Sequence, residues 1–336
     1  MTGLAIIGHT IRSRFGTGTD ALLDALSRPA DATPLATDFD LRGELSGKGT
    51  RSMDRATGLA VTAVADLLDA TGPRPRPERT AVVLGTSYGS AETSLSFVRS
   101  SLSRPKPYLV DPGRFPVTIM NYAAGQCAIR HGLTGPNTTI AGGRTAMPLV
   151  LQYARRLLVA GRADDVLCGV TEELTPERAA LERRDPPTGI PVSEGCVMLH
   201  VRRPAYDLAV PRVSAVATVL ARPGGNTEAV RTCVTRALRQ AGAFPSDVWA
   251  VATSGALDGT GAAEAAGLNE ALGVPGPRRV AVHRHLGDTS AASGGFALVT
   301  LLAMAARDDA PDGSALLVTS LDPNGVAACV VLGGSP

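Results

Sequence analysis

Hydrophobic positions along the chain fall into two kinds of segment. Short runs of aliphatic and β-branched residues read as strands buried on both faces: LAIIG (4–8), the start of TAVVLGTSYGS (80–90), TTIAGG (138–143), DDVLCGVT (164–171), VWAVATSG (248–255), RRVAVH (278–283), ALLVTSLD (315–322) and AACVVLGG (327–334). Between them lie longer stretches with apolar residues at helical spacing. These are 54–72, closed by Gly72; 121–132, closed by Gly132; about 145–160; 261–273; and the apolar stretch 290–309. Alternation of strand and helix along the whole length predicts an α/β fold.

The two halves share one grammar. Residues 144–173 and 290–322 each run from small residues through a long apolar helix and an Arg/Asp turn to a buried strand. TAVVLGTSYGSAE (80–92) likewise matches VWAVATSGALDGTGAAE (248–264). The pattern predicts a duplication joined near 203–212, with halves 1–205 and 206–336.

Composition narrows the function. The 336 residues are 44% hydrophobic and 19% charged with a formal net charge of +2, which excludes a disordered chain. No uncharged apolar run reaches about 18 residues, so no membrane span is expected. The opening MTGLAIIGHTIRSRFG lacks a basic region followed by a long apolar one, so no secretory signal is expected either. Basic residues are 31 Arg and 2 Lys (Lys48 and Lys106), a bias that, with abundant Ala, Gly and Pro, reads as GC-rich coding. With no long basic run and 4% aromatics, nucleic-acid binding is not expected. Five scattered cysteines (Cys127, Cys168, Cys196, Cys233, Cys329) form no CxxC pair and read as buried, reduced thiols of a cytoplasmic protein. His283 and His285 have no thiol or carboxylate at ligand spacing, so no metal and no cofactor is implied, and both read as structural. GTSYGS lacks the spacing of a phosphate-binding loop.

Several stretches carry a family resemblance spanning nearly the whole chain. MDRATGLAVTAVADLLDATG (53–72) resembles the early interface helix of β-ketoacyl synthases. GRFPVTIMNYAAGQCAIRHGLTGPNTTI (113–140) resembles the segment leading to their nucleophile and is the most specific match. GRADDVLCGVTEE (161–173) and SEGCVMLHV (193–201) resemble the strands that follow it. The resemblance implies a thiolase-like fold, two duplicated βαβαβαββ halves in a five-layered αβαβα architecture.

Active members of that family use one Cys at a helix N-terminus, where the dipole favours its thiolate, and two His. The motif Thr-Ala-Cys-Ala-Ser falls on Gly142–Ala146, placing Arg144 at the Cys position; an Arg forms no thioester. The first His falls on Ser254, ahead of Gly255, with Glu264 in the family's acidic position downstream. The second falls on Asp288 of GDTSAASGG, and the glycine-rich C-terminal loop falls on Leu321–Gly325 without its Phe. No catalytic residue is therefore intact.

Loss of the Cys resembles the chain-length factors of type II polyketide synthases, whose usual replacement is Gln. A short connection, with about 45 residues between His200 and Ser246, points to a divergent branch such as the factors of highly reducing, polyene-making systems. The implied role is a non-catalytic subunit pairing with a Cys-bearing ketosynthase and meeting an acyl carrier protein through the complex. The same segment of the family lies at the dimer interface and walls the acyl tunnel, which makes Phe115, Thr118, Ile119, Met120, Asn121 and Tyr122 tunnel or interface candidates. Arg104, Lys106 and Arg114 are candidates to meet an acidic carrier.

A cation at a helix N-terminus opposes the dipole, and burial without a counter-charge costs several kcal/mol more. Arg144 is therefore expected to pair with Asp288, or failing that with Glu194. The alternative is a thiolase-fold enzyme of altered chemistry, a decarboxylase or acyltransferase built on Ser254, Asp288 or Thr145; a third reading is a non-catalytic homodimer that binds acyl thioesters.

Overall fold

In the computed structural model, residues 3–30, 36–45, 50, 53–72, 76–182, 190–205, 210–256 and 259–333 are described. The first half runs β1 (Leu4–Ser13), β2 (Gly16–Thr17), α1 (Thr19–Leu26), α2 (Leu41–Glu44), α3 (Arg55–Ala70), β3 (Thr80–Thr86), α4 (Ala91–Ser103), α5 (Tyr122–His131), β4 (Asn137–Ala141), α6 (Ala146–Val159), β5 (Asp165–Glu172), α7 (Pro176–Leu181) and β6 (Gly195–Arg202). The second runs β7 (Arg212–Leu220), α8 (Asn226–Ala241), β8 (Val248–Ala252), α9 (Gly259–Leu272), β9 (Arg278–Val280), α10 (His283–Leu286), α11 (Ser293–Arg307), β10 (Ala315–Leu321) and β11 (Val326–Gly333).

Strand order makes the duplication explicit. The strands run β4-β3-β5-β6-β1-β7-β11-β10-β8-β9, with β2 appended to β1. Counted within each half, the order from the outer edge inward is third, second, fourth, fifth, first. In both halves the fifth strand is antiparallel to its neighbours and the outer three are parallel. The halves meet edge to edge where Leu4 and Ala5 of β1 pair with Val213 and Arg212 of β7. The expected boundary at 205/206 abuts residues 206–209, outside the described residues.

Side-chain alternation along these strands feeds separate cores. Val82 and Leu84 of β3 face α3 and α5, whereas Val83 faces inward to α6 and α11. In the other half, Leu317 of β10 and Val331 of β11 face α8 and α9, while Val318 and Val330 face α6 and α11. Two outer helix layers, two sheet layers and a central layer of α6 and α11 make the five-layered thiolase-like fold. Strands covered on both faces need apolar residues at every position, which is why they read as continuous runs. Every residue of β5 is buried.

Local chemistry sets the ends. Asp54 caps α3, its carboxylate accepting the Thr57 amide at 2.8 Å. Gly132 closes α5 in the left-handed region at φ 65°. α11 begins at Ser293 rather than 290, because Ser290–Ala292 form a single 3-10 turn ahead of it. RRVAVH supplies only a three-residue strand before the chain turns into α10. β7 and α8 escape the hydrophobic reading of the sequence. The buried stripe of α8 is Ala229, Val230, Cys233, Val234, Ala237 and Leu238, interrupted in sequence by arginines on the outer face. One stretch, Ser290–Arg307, is after all long and apolar enough to cross a membrane by length and composition, but 72% of it is buried in the central layer of this fold.

Candidate functional site

Both halves aim one end of their central helix at a common point. After β4, the chain turns through Gly142 and Gly143, makes a single 3-10 turn and enters α6. Gly143 has φ 49°, and a Cβ there would stand 2.1 Å from Asp322 Oδ2, so no side chain fits. Arg144 follows, only 5% exposed. Its guanidinium Nη2 lies 2.5 Å from Asp288 Oδ2, and Nη1 donates to the Ser254 carbonyl at 3.1 Å. Its backbone N–H donates to Asp322 Oδ2 at 3.1 Å. The structure thus brings Arg144, Ser254 and Asp288 together, and adds Asp322. That residue lies in Leu321–Gly325, which the resemblance aligns with the family's C-terminal loop, but its turn-forming run Asp322-Pro323-Asn324-Gly325 gives no sign that its carboxylate reaches Arg144.

Asp288 is fixed on every side. Its amide donates to the Pro191 carbonyl at 2.9 Å, its carbonyl accepts the Ser193 amide at 2.9 Å, and its Oδ1 accepts the Ser290 amide at 2.9 Å. Beneath it lies Arg178, fully buried, donating to the carbonyls of Glu173 (2.7 Å), Ser193 (2.5 Å) and Asp288 (3.4 Å), with Glu172 3.4 Å away.

The hydroxyls that an altered chemistry would need are engaged. Ser254 Oγ donates to Glu264 Oε2 at 2.6 Å, and Thr145 Oγ1 donates to the Gly142 carbonyl at 2.8 Å. Glu264 also accepts from Thr319 Oγ1 at 2.6 Å; burial pushes its carboxyl above the usual range, against these hydrogen bonds and the charge of Arg144. His283 packs on Gly255, where a Cβ would meet the His283 Cβ at 2.6 Å. Burial, then the charges of Arg284 and Arg144, lower the His283 imidazole to about 4, and its Nδ1 has no hydrogen-bond partner among the described residues. His285 Nε2 lies 2.9 Å from the Arg28 carbonyl, away from the site. All five cysteines are free and buried, and burial raises every one of their thiols, those of Cys168, Cys196 and Cys233 to about 12.

Glu194 is not a partner of Arg144. It is buried against Arg55, whose Nε and Nη2 each lie 2.7 Å from it, and it also accepts the amides of Thr37 at 2.7 Å and Leu174 at 2.9 Å. Burial alone would raise its pKa, but Arg55 and these amides hold it below the usual carboxylate range. The spacing Ser193-Glu194-Gly195 placed it near the site in sequence; the start of β6 turns its side chain toward α3 instead.

The Phe115–Tyr122 segment lies elsewhere, on the surface around α4. Phe115, Ile119 and Met120 are 55%, 45% and 39% exposed, Asn121 is exposed, and Thr118 and Tyr122 are half-buried. Phe115 stacks on Phe97 of α4 at 6.0 Å. Ile119, Met120 and Tyr122 line a small hollow shared with Asp54, Ser90 and Thr171. Close by, Glu173 accepts the Glu92 amide at 3.2 Å; burial, then the charge of Asp54, raise its carboxyl to about 8. Arg104, Lys106 and Arg114 are exposed beside this face. Lys48 lies outside the described residues. Above Arg144 opens a cleft of about 440 Å³, lined by Ser87, Gly143, Arg144, Glu182, Ser290 and Asp322 among others.

Comparison with known proteins follows the same lines. Residues 18–185, half of the chain, match the family model described as β-ketoacyl synthase, N-terminal domain. The 3-oxoacyl-[acyl-carrier-protein] synthase 2 of Vibrio harveyi is 30% identical over 185 residues, 51% of this chain and 43% of that protein. The tetracenomycin polyketide synthase ketoacyl synthase alpha subunit of Streptomyces glaucescens is 31% identical over 194 residues, 50% of this chain and 45% of that protein. The alignments thus span less than half the length of these two curated relatives. A solved structure, the ishigamide ketosynthase/chain length factor, superposes with a TM-score of 0.88 at 35% identity, covering 99% of this chain and 100% of that one.

Two consequences are measurable. Arg144→Ala strands a carboxylate that is 15% exposed and is expected to lower unfolding free energy by about 2–3 kcal/mol in denaturant titrations, whereas the paired change Arg144→Met/Asp288→Asn, which keeps an acceptor for the Ser290 amide, recovers most of the loss. A smaller single-variant loss than that of the pair would contradict the ion pair's role. Glu173 holds its proton in the fold up to about 8 but ionises near 4.5 when unfolded, so its contribution to stability is complete below about 4.5 and is lost as pH rises to about 8. The difference in stability between wild type and Glu173→Gln, followed by thermal melting from pH 4 to 9, should therefore shift in favour of the variant across that window.

Proposed function

The chain belongs to the β-ketoacyl synthase family, and from that premise we propose that it is the non-catalytic, chain-length-factor-like member of a ketosynthase pair. The observation that carries this reading is Arg144. At the turn into α6, where an active member would present a thiolate, stands a buried guanidinium already bound to Asp288 and the Ser254 carbonyl. It offers no nucleophile, and no histidine replaces the paired positions. The five buried thiols lie elsewhere and are held protonated by burial.

The partner is proposed to be a Cys-bearing ketosynthase of the same fold. Supporting this is the exposed apolar face built by Val98 and Leu102 of α4 with Tyr108, Leu109, Phe115, Ile119 and Met120. Among the described residues, strand β4, next in the chain after α5, is an outer strand paired with β3 alone, with no strand on its other edge. A subunit can keep its share of such an interface after losing its nucleophile, and an obligate interface of this class is large and apolar. In that complex the ketosynthase carries out decarboxylative condensation on chains borne by an acyl carrier protein. Residues 115–122 close part of the tunnel that receives the growing chain. The similarity to the ishigamide ketosynthase/chain length factor supports the chain-length-factor reading, and the short connection between halves favours the highly reducing, polyene-making branch, working in the cytoplasm without a cofactor. Within the chain, 1–205 and 206–336 are read as the two duplicated units.

Expressed alone, the chain is expected to be poorly soluble or heterogeneous; co-expressed with a ketosynthase from the same gene cluster, it should elute as a 1:1 heterodimer in native mass measurement. A well-behaved homodimer that ignores the ketosynthase would refute the proposal. In the reconstituted complex, Met120→Gly and Ile119→Gly should lengthen the product, because close-packed walls resist even one added methylene. Product length unchanged across both variants would remove residues 115–122 from the tunnel.

A further inference from the structure

The site is closed by more than the loss of its thiol. The backbone N–H of Arg144, at the turn into α6, is the kind of donor that stabilises the oxyanion formed when a residue in this position attacks a carbonyl. Here it is already taken. Asp322 Oδ2 accepts it at 3.1 Å, from the other half of the chain. The carboxylate lies directly over the turn, so close that a Cβ on Gly143 would stand 2.1 Å from the same oxygen. Asp322 is only 7% exposed, and its other oxygen accepts the Asn324 amide at 3.0 Å and the Asn324 side-chain amide at 2.8 Å. The hairpin turn between β10 and β11 accounts for the Oδ1 contacts. It does not account for Oδ2, which leaves the turn to reach across to α6.

We propose that Asp322 is a built-in plug, an internal anion seated where the carbonyl oxygen of a thioester would otherwise bind. The inference rests on the non-catalytic reading above and deepens it: Asp288 neutralises the Arg144 side chain while Asp322 occupies its amide. Restoring a thiol at position 144 alone therefore does not restore acyl transfer. The cleft of about 440 Å³ above Arg144 includes Asp322 in its wall, so the plug is within reach of a small ligand entering it.

The test uses the full chain, purified with its ketosynthase partner, in an Arg144→Cys/Asp288→Asn background. The probe is hexanoyl-N-acetylcysteamine. The introduced thiolate attacks its thioester carbonyl, a new carbon–sulfur bond forms, and N-acetylcysteamine leaves as a thiolate that takes a proton from water. Acylation is read by intact mass on this chain. Iodoacetamide alkylation in parallel reports thiol access without an oxyanion, since the thiolate displaces iodide at the methylene carbon and the amide carbonyl is not attacked. Adding Asp322→Ser, which keeps a side-chain acceptor for the turn, or Asp322→Ala, should raise the acylation rate by about 10-fold or more. Alkylation should stay within about twofold, since access to the thiol is unchanged. Equal acylation with and without Asp322, or none in any variant, would overturn the proposal. A parallel rise in alkylation would do so too, because Asp322 would then control access rather than the amide. Native mass of the same samples reports partner binding independently, so failure of the plug is distinct from failure of the subunit reading.

Discussion

A guanidinium buried at the positive end of a helix meets two penalties, desolvation and an opposing dipole, and the structure around α6 is arranged to meet both. Arg144 is held by a carboxylate from ahead of α11 and a carbonyl from the loop after β8, both from the other half of the chain. The pairing depends on the duplicated architecture: two central helices packed against each other between two sheets bring their leading turns to one place.

Beneath that pair lies a second layer of buried polarity. Arg178 joins the backbone of Glu173, Ser193 and Asp288 and sits against Glu172, whose Oε1 accepts the Ser87 amide at 2.5 Å. Ser87 Oγ in turn lies 2.8 Å from Ser290 Oγ, at the foot of α11. Toward α3, the buried carboxylate of Glu194 pairs with the partly exposed Arg55. Buried charges of this kind add little net stability over apolar packing, but removing one partner is costly, so they fix the geometry of the loops around the site. The interior of the site is thus crossed by ion pairs and hydrogen bonds from both halves, while the apolar face around Phe115 and Met120 is exposed. That division is the one expected of the proposed non-catalytic subunit.

Asp322 and Asp288 give the two ends of one argument. Each is a carboxylate from the second half that satisfies a donor of Arg144, one on the side chain and one on the backbone. The cleft above them persists, lined by hydroxyls and carboxylates rather than by a nucleophile.

The sequence by itself determined most of the strands, because covering a sheet on both faces favours runs of apolar residues, though β7 escaped that reading, and it determined the duplication, because the same order of small residues, long helix and buried strand occurs twice. It also determined that no Cys stands at position 144. Helix α8 was hidden by the arginines of its outer face, which dilute the apolar stripe that packs on β7 and β11. With 33 basic and 31 acidic residues in the chain, spacing alone cannot say which meet; it was the resemblance, which sets position 288 opposite position 144, that pointed to Asp288 ahead of Glu194, and the structure pairs the two, with Glu194 turned toward Arg55 at the start of β6. The contact between Arg144 and Asp322 spans 178 positions. Only strand register and the stacking of α6 on α11 bring such distant residues within hydrogen-bonding reach, so the occupied amide belongs to the tertiary structure alone.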